Sequence, residues 1–189
     1  MGIVHQIWRI SAVALVVFIC SGCAAGNNRT TTIKPSPLSS YSADPNSEVG
    51  SRSNPIALGD VALVNNWRVQ IISANKNAMQ LVMTSNPYAS PISPEQRCVL
   101  LKIKATYIGD ESGEPWGDLK FKIVGSGGNT FNRSCDYSAD TFTQNGEAYT
   151  GASVTGTLGF IVDANQISGA TVSIQGDYST EDRQFILID

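Results

Sequence analysis

Along Cys98–Ile108 every second residue is apolar: Val99, Leu101, Ile103, Ala105 and Tyr107 fall on one face, with Lys102, Lys104 and Thr106 opposite. A period of two belongs to a strand with one dry face and one wet face. The pattern recurs. Trp67, Val69 and Ile71 alternate with Arg68 and Gln70, and Leu119, Phe121 and Ile123 with Lys120 and Lys122. Val154, Leu158, Phe160 and Val162 share a face, as do Val172 with Ile174 and Phe185 with Leu187. Turn-forming residues separate the runs: Asn65-Asn66, Gly109-Asp110 with Ser112-Gly113, Gly125–Asn129, Asn145-Gly146, Ser168-Gly169 and Gly176-Asp177. No segment beyond residue 23 keeps helical spacing for ten residues. About seven to eight one-sided strands in residues 54–189 predict an all-β, antiparallel sandwich.

The N-terminus follows different rules. Met1 to Arg9 is a short, positively charged lead, and Ile10 to Ile19 is a ten-residue apolar run with one Ser. That run is too short for a bilayer core, which needs about 20 apolar residues, and suits the apolar region of a signal peptide. Ser21-Gly22-Cys23 follows, then Ala24-Ala25-Gly26. These residues resemble the lipobox of bacterial lipoproteins, in which a small residue precedes the cysteine that is acylated. Cys20 stands where that pattern most often has Leu. The expectation is a signal peptide over residues 1–22, removed to leave Cys23 lipidated and holding the chain to the membrane by its acyl groups. An ordinary signal peptide cleaved near Ala24-Ala25 and an uncleaved anchor are the alternatives. The eukaryotic myristoylation pattern fails, since Gln6 occupies the position of the required Ser or Thr.

Residues 23–53 join this signal to the strands. After Cys23 they are rich in Ser, Thr, Pro, Asn and Gly, with apolar residues only singly. Such a stretch buries too little surface to offset its ordering entropy, which predicts a flexible tether. Its extended reach is about 100 Å. The sequons Asn28-Arg29-Thr30 and Asn132-Arg133-Ser134 are expected to stay unglycosylated in a bacterial lipoprotein.

Order and texture then point to a family. Ser53–Gly59, Trp67-Arg68-Val69, Ala105–Gly109 with Trp116, Lys120–Phe131, the glycine-punctuated run Gly151–Val162 and the closing Gln184–Leu187 appear in sequence. This series resembles the telokin-like domain of unknown function found in bacterial, especially actinobacterial, lipoproteins. That domain is similar to the mycobacterial immunoprotective extracellular protein, so the resemblance implies an immunoglobulin-like sandwich over about residues 53–189. Asp163 departs from it, where relatives often have Pro. No motif in the resemblance is catalytic, and it implies fold and location rather than chemistry.

Maturation as expected leaves two cysteines, Cys98 and Cys135. An even pair in an exported domain predicts a disulfide, with two free or buried thiols as the alternative. It is not the immunoglobulin intersheet bridge, because Trp67 precedes both cysteines. The bridge is expected to pin the loop after Phe131 to the start of the Cys98 strand.

Several chemistries are disfavoured. Residues 1–53 carry Arg9, Arg29, Lys34 and Arg52 against Asp44 and Glu48, a net of +2, so the remainder of a chain at −3 is −5. An acidic domain offers no clustered cations to nucleic acid. The only histidine, His5, lies in the signal peptide. Its removal takes away the usual general base, the Ser-His-Asp triad and most zinc sites. Gly125, Gly127 and Gly128 join two strands and open no helix, so they predict a hairpin rather than a phosphate loop. Asp110, Glu111, Glu114 and Asp118 crowd one connection, yet their spacing fits no EF-hand; calcium is the alternative to a solvated acidic loop. No catalytic residue, metal or cofactor is expected. Trp116, Tyr137 and Tyr149 are the candidate aromatic contact surface.

The function these features imply is a non-catalytic binding module on the extracytoplasmic face of the cell membrane, its partner an unidentified protein or envelope component. The alternative is a solute- or glycan-binding lipoprotein with a small pocket at one end of the sandwich.

Overall fold

The alternating runs assemble into two four-stranded antiparallel sheets. A computed structural model describes residues 48–176 and 182–189; the signal peptide, Cys23, the linker through residue 47 and residues 177–181, with Asp177 of the Gly176-Asp177 turn, lie outside the described residues. Sheet 1 has the order β1 (Val61–Val64), β2 (Trp67–Asn75), β3 (Gln96–Tyr107) and β8 (Ser153–Asp163). Sheet 2 has the order β10 (Gln184–Leu187), β9 (Thr171–Gly176), β5 (Leu119–Val124) and β6 (Thr130–Phe131). A short pair, β4 (Ser112–Gly113) with β7 (Ala148–Tyr149), stands apart. Seven strands have four residues or more and three have two, so the architecture is the predicted sandwich with minor strands added.

The dry faces meet between the sheets. Val69, Ile71, Leu101 and Ile103 of sheet 1 and Leu119, Ile123, Ile174 and Ile186 of sheet 2 are fully buried there. Trp67 is fully buried too and packs edge-on against Tyr107, ring centres 5.0 Å apart. Its indole N–H donates to Asp118 Oδ2 at 3.0 Å, which satisfies the polar end of a ring that is otherwise apolar. A bulge between Ile71 and Ser73 shifts the β2–β3 register and turns Ile72 outward.

A second, smaller core covers the outer face of sheet 1. Cys98 and Leu100 of β3 and Ile161 of β8 point there, under Ala78, Val82 and Ala89. Val82 is the only buried residue of α1 (Met79–Ser85), a seven-residue helix that has no side-chain cap. A helix this short is marginal alone, so packing holds it in place. The Cys98–Cys135 disulfide lies within this core, its Cα atoms 5.8 Å apart.

Residues 48–53, linker by composition, are also tied to the sandwich. The Phe185 amide donates to the Gly50 carbonyl at 2.8 Å, and Ile56 forms a parallel bridge with Ile186. Among the described residues no helix is long and apolar enough to cross a membrane.

Candidate functional site

The glycine run Gly125–Asn129 closes the β5–β6 hairpin as predicted, with the Gly125 amide donating to the Asn129 carbonyl at 2.9 Å. After Phe131 the chain leaves sheet 2 and crosses to the outer edge of sheet 1. There the Ile161 amide donates to the Arg133 carbonyl at 2.8 Å, and the Thr157 amide to the Asp140 carbonyl at 2.7 Å. Residues 132–145 therefore form a strap across one flank of the sandwich. Phe142, in the strap's 3-10 turn Phe142–Gln144, is its plug: fully buried, with its ring 5.6 Å from that of Phe121 and nearly perpendicular to it.

Two glycines of β8 admit the strap. A Cβ on Gly156 would lie 2.4 Å from the Phe142 Cα, and one on Gly159 would lie 2.7 Å from the Cys135 sulfur. A glycine inside a strand often marks such a close approach.

Between the strap and the two sheets lies a cleft of about 590 Å3. Leu119, Phe121, Lys120 and Lys122 of β5, with Gln175 of β9, form one wall. Thr157, Leu158, Gly159 and Phe160 of β8 form the other. The strap contributes Asn132, Ser134, Tyr137, Thr141 and Thr143. Trp116, on the single turn α2 (Pro115–Asp118), closes the end beside Leu119. The opening lies along the flank of the sandwich rather than at its loop-bearing end.

Of the three predicted contact residues, Trp116 and Tyr137 both line this cleft and Tyr149 does not. Tyr149 projects from β7 with 65% of its surface exposed, and its hydroxyl donates to Glu147 Oε2 at 3.2 Å. Lys120, Lys122 and the strap threonines line the cleft, although alternation and polarity alone predict solvated or loop positions for them. The signal available for them was the unusual pairing of Gly156 and Gly159 within one alternating strand.

The cleft is cationic in an acidic domain. Its lining includes two lysines and no carboxylate. The Lys120 ammonium donates to the Trp116 and Gly117 carbonyls at 3.3 and 3.1 Å, completing the C-terminal end of α2. Asp140 sits beside the cleft, ion-paired with Lys102. Burial pushes its carboxyl up, but hydrogen bonds from Lys102, Thr157 and Tyr137 and the charge of Lys102 together hold it below its ordinary range. Burial raises the Tyr137 hydroxyl, and Asp140 adds to this through hydrogen bonding and its charge. Tyr137 is thus a neutral donor at physiological pH.

The acidic connection separates. Asp110, Glu111 and Glu114 are exposed, while Asp118 turns inward to Trp67. Among the described residues no three His, Cys, Asp or Glu side chains converge as metal ligands. What the cleft offers is an aromatic and aliphatic interior, hydroxyl and amide groups at the rim, and two cations.

No family model matches the chain. No curated protein matches it in sequence. Among solved structures it is similar to a conserved hypothetical protein from Bacillus anthracis, at 7% identity and a TM-score of 0.46, over 70% of this chain and 94% of that one. The yjhA protein from Bacillus subtilis aligns at 12% identity and a TM-score of 0.45, over 70% of this chain and 98% of that one. An uncharacterized β-sandwich protein from Clostridium difficile 630 aligns at 10% identity and a TM-score of 0.39, over 77% of this chain and all of that one.

Proposed function

We propose that the protein is a non-catalytic, lipid-anchored binding module of the bacterial cell envelope, and that its ligand enters the cleft between β5 and β8. The observation that carries this reading is the concave site itself, where Trp116 and Tyr137 meet beside an apolar interior and a polar rim. Ligand pockets combine those features: apolar walls for affinity and a few polar groups for orientation. A flat apolar face would have favoured a broad protein contact instead.

The anchor part of the proposal rests on Ser21-Gly22-Cys23 behind a ten-residue apolar run, and on the resemblance to telokin-like lipoprotein domains. An acidic domain gains nothing from anionic headgroups, so attachment depends on the acyl groups of Cys23. Cys23→Ala is expected to release the protein to the medium or to block its processing. A mature N-terminus carrying no lipid, read by mass spectrometry, overturns this part.

For the cleft, a photo-crosslinking residue placed at Thr143 and another at Tyr149 make the test in intact producing cells. Adducts from position 143 alone support the reading; adducts from neither, or from both alike, defeat it. The absence of turnover has its own check. Hydrolysis of an ester, peptide, glycoside or phosphate substrate that disappears when a single Asp or Glu is replaced would show an enzyme.

A further inference from the structure

One strand edge in the cleft is only half used. β5 pairs with β9 along its whole length, from Leu119 opposite Gly176 to Val124 opposite Thr171. On its other side β6 pairs with Ile123 and Val124 alone. Backbone groups of alternate strand residues point to opposite neighbours. Because Gly125 bonds to Asn129 within the hairpin, Gly125, Ile123 and Phe121 turn their amides and carbonyls to the β6 side. By Arg133 the chain has already moved across to β8. The Phe121 amide and carbonyl therefore face the cleft with no strand opposite them among the described residues. Leu119 differs, since its amide donates to the Pro115 carbonyl and closes α2.

The opposite wall repeats the arrangement. Thr157 and Ile161 of β8 give their amides to the strap. Gly159, midway between them, turns its backbone to the same side and meets no backbone partner among the described residues.

An open row of amide and carbonyl groups is a template for an added strand. The side chains around Phe121 determine which strand fits. Lys120 and Lys122 lie on the outer face of β5 on either side of it, while Phe121 points inward to Phe142. A strand laid against β5 in continuation of β6 would place two residues opposite the lysines, their Cβ atoms about 5 Å away. Its middle residue, opposite Phe121, would enter the cleft beside Leu158 and Phe160. We infer that the cleft takes an extended peptide of acidic–apolar–acidic alternation, bound by strand addition to the Phe121 edge of β5. The inference rests on the cleft being the ligand site. It favours a peptide over a sugar because two facing walls offer main-chain hydrogen bonds, which a sugar does not need, and because no carboxylate lines the cleft to repel an acidic strand.

The test titrates the full chain with a capped peptide, Ser-Thr-Glu-Val-Glu-Thr-Ser, by calorimetry and by amide exchange at Phe121 and Gly159. Companion probes carry N-methyl-valine at the centre, Lys in place of both Glu, or are an uncharged chitotetraose. The expected result is binding of the first peptide, slowed exchange of the Phe121 amide, and at least tenfold weaker binding after N-methylation or charge reversal. Lys122→Glu, at an exposed position, should narrow or invert the preference between the Glu and Lys peptides. Equal binding of the N-methylated peptide overturns strand addition, and equal binding of the Lys peptide overturns the charge argument. Binding of chitotetraose alone in the cleft sinks the peptide and leaves the ligand site standing. Binding of neither, with no cleft amide perturbed, sinks both.

Discussion

The two flanks of sheet 2 are finished by opposite means. On the β10 flank the chain covers the edge with its own backbone: the Gly50 carbonyl accepts from Phe185, Ile56 donates to Phe185 and accepts from Leu187, each at 2.8 Å, and Ile56 bridges Ile186. On the β5 flank the backbone leaves after Phe131, and closure passes to one inserted ring, Phe142, with the disulfide behind it. A backbone-sealed edge has no donors left for a guest. A flank plugged by a side chain can be stable and still leave backbone groups open beside the plug. In this domain stability and access lie on the same flank but depend on different atoms.

The strongest way to break the contrast is to remove the plug. Phe142→Ala should cost about 3–5 kcal/mol in chemical denaturation, the usual range for losing a buried Phe. Gly156→Ala should cost a similar amount, because its new Cβ meets the Phe142 backbone rather than a side-chain end that can swing away. The two effects should not add in the double variant, since each expels the same turn. Full additivity would mean that Gly156 does not serve the plug.

Next in size is the disulfide. Cys98 and Cys135 are 37 residues apart, and closing a loop of that length stabilises by about 4 kcal/mol in the chain-entropy model. Replacing both with Ala should lower stability by that amount or less and leave the fold intact. Far-ultraviolet circular dichroism of the variant should retain its β signature, because the intersheet core contains neither cysteine.

A smaller change sharpens the comparison from the sealed side. Ile56→Pro removes the amide that donates to Phe185 and should cost about 1–3 kcal/mol. Hydrogen exchange should rise along β10 and leave the Phe121 amide unchanged. Faster exchange at Phe121 would show that the flanks are coupled.

The smallest effect is electrostatic. The Asp140 carboxyl is held below its ordinary range, so its pairing with Lys102 stabilises the fold above about pH 4 and is lost as pH falls through the lowered value. Both side chains are partly exposed, at 43% for Asp140, so the contribution stays under about 1 kcal/mol. Asp140→Asn should match that loss at pH 7 and make no difference at pH 2.

The strands were legible because one-sided burial writes itself as alternation. β2 and β5 carry it most plainly, while β3 and β8 are buried on both faces where Cys98, Leu100 and Ile161 enter the second core. The cysteine pair and the glycine hairpin were legible for similarly local reasons. The strap was not, since residues 132–145 are mostly polar and have no period, and two isolated buried residues among them, Cys135 and Phe142, leave no pattern to detect. The linker boundary was blurred by composition: Gly50, Ser51 and Ser53 look solvated, yet this segment pairs through its backbone, to which side-chain chemistry is blind. In the cleft, Trp116 and Tyr137 stood out as aromatics between strands. Tyr149 stood out equally and went elsewhere, because only the fold decides which side of a short strand faces a cavity.

The bridge between Ile56 and Ile186 also has a consequence in time. It joins the segment that enters the sandwich to the strand that completes it, with nearly the whole domain in between. Contacts so distant along the chain form late, after the loop entropy of everything enclosed has been met. Until Gln184–Leu187 docks, β9 presents an open edge to any neighbouring chain, the situation in which β-proteins aggregate. Docking of Gln184–Leu187 onto β9 therefore ends the interval in which a newly made domain can adhere to its neighbours.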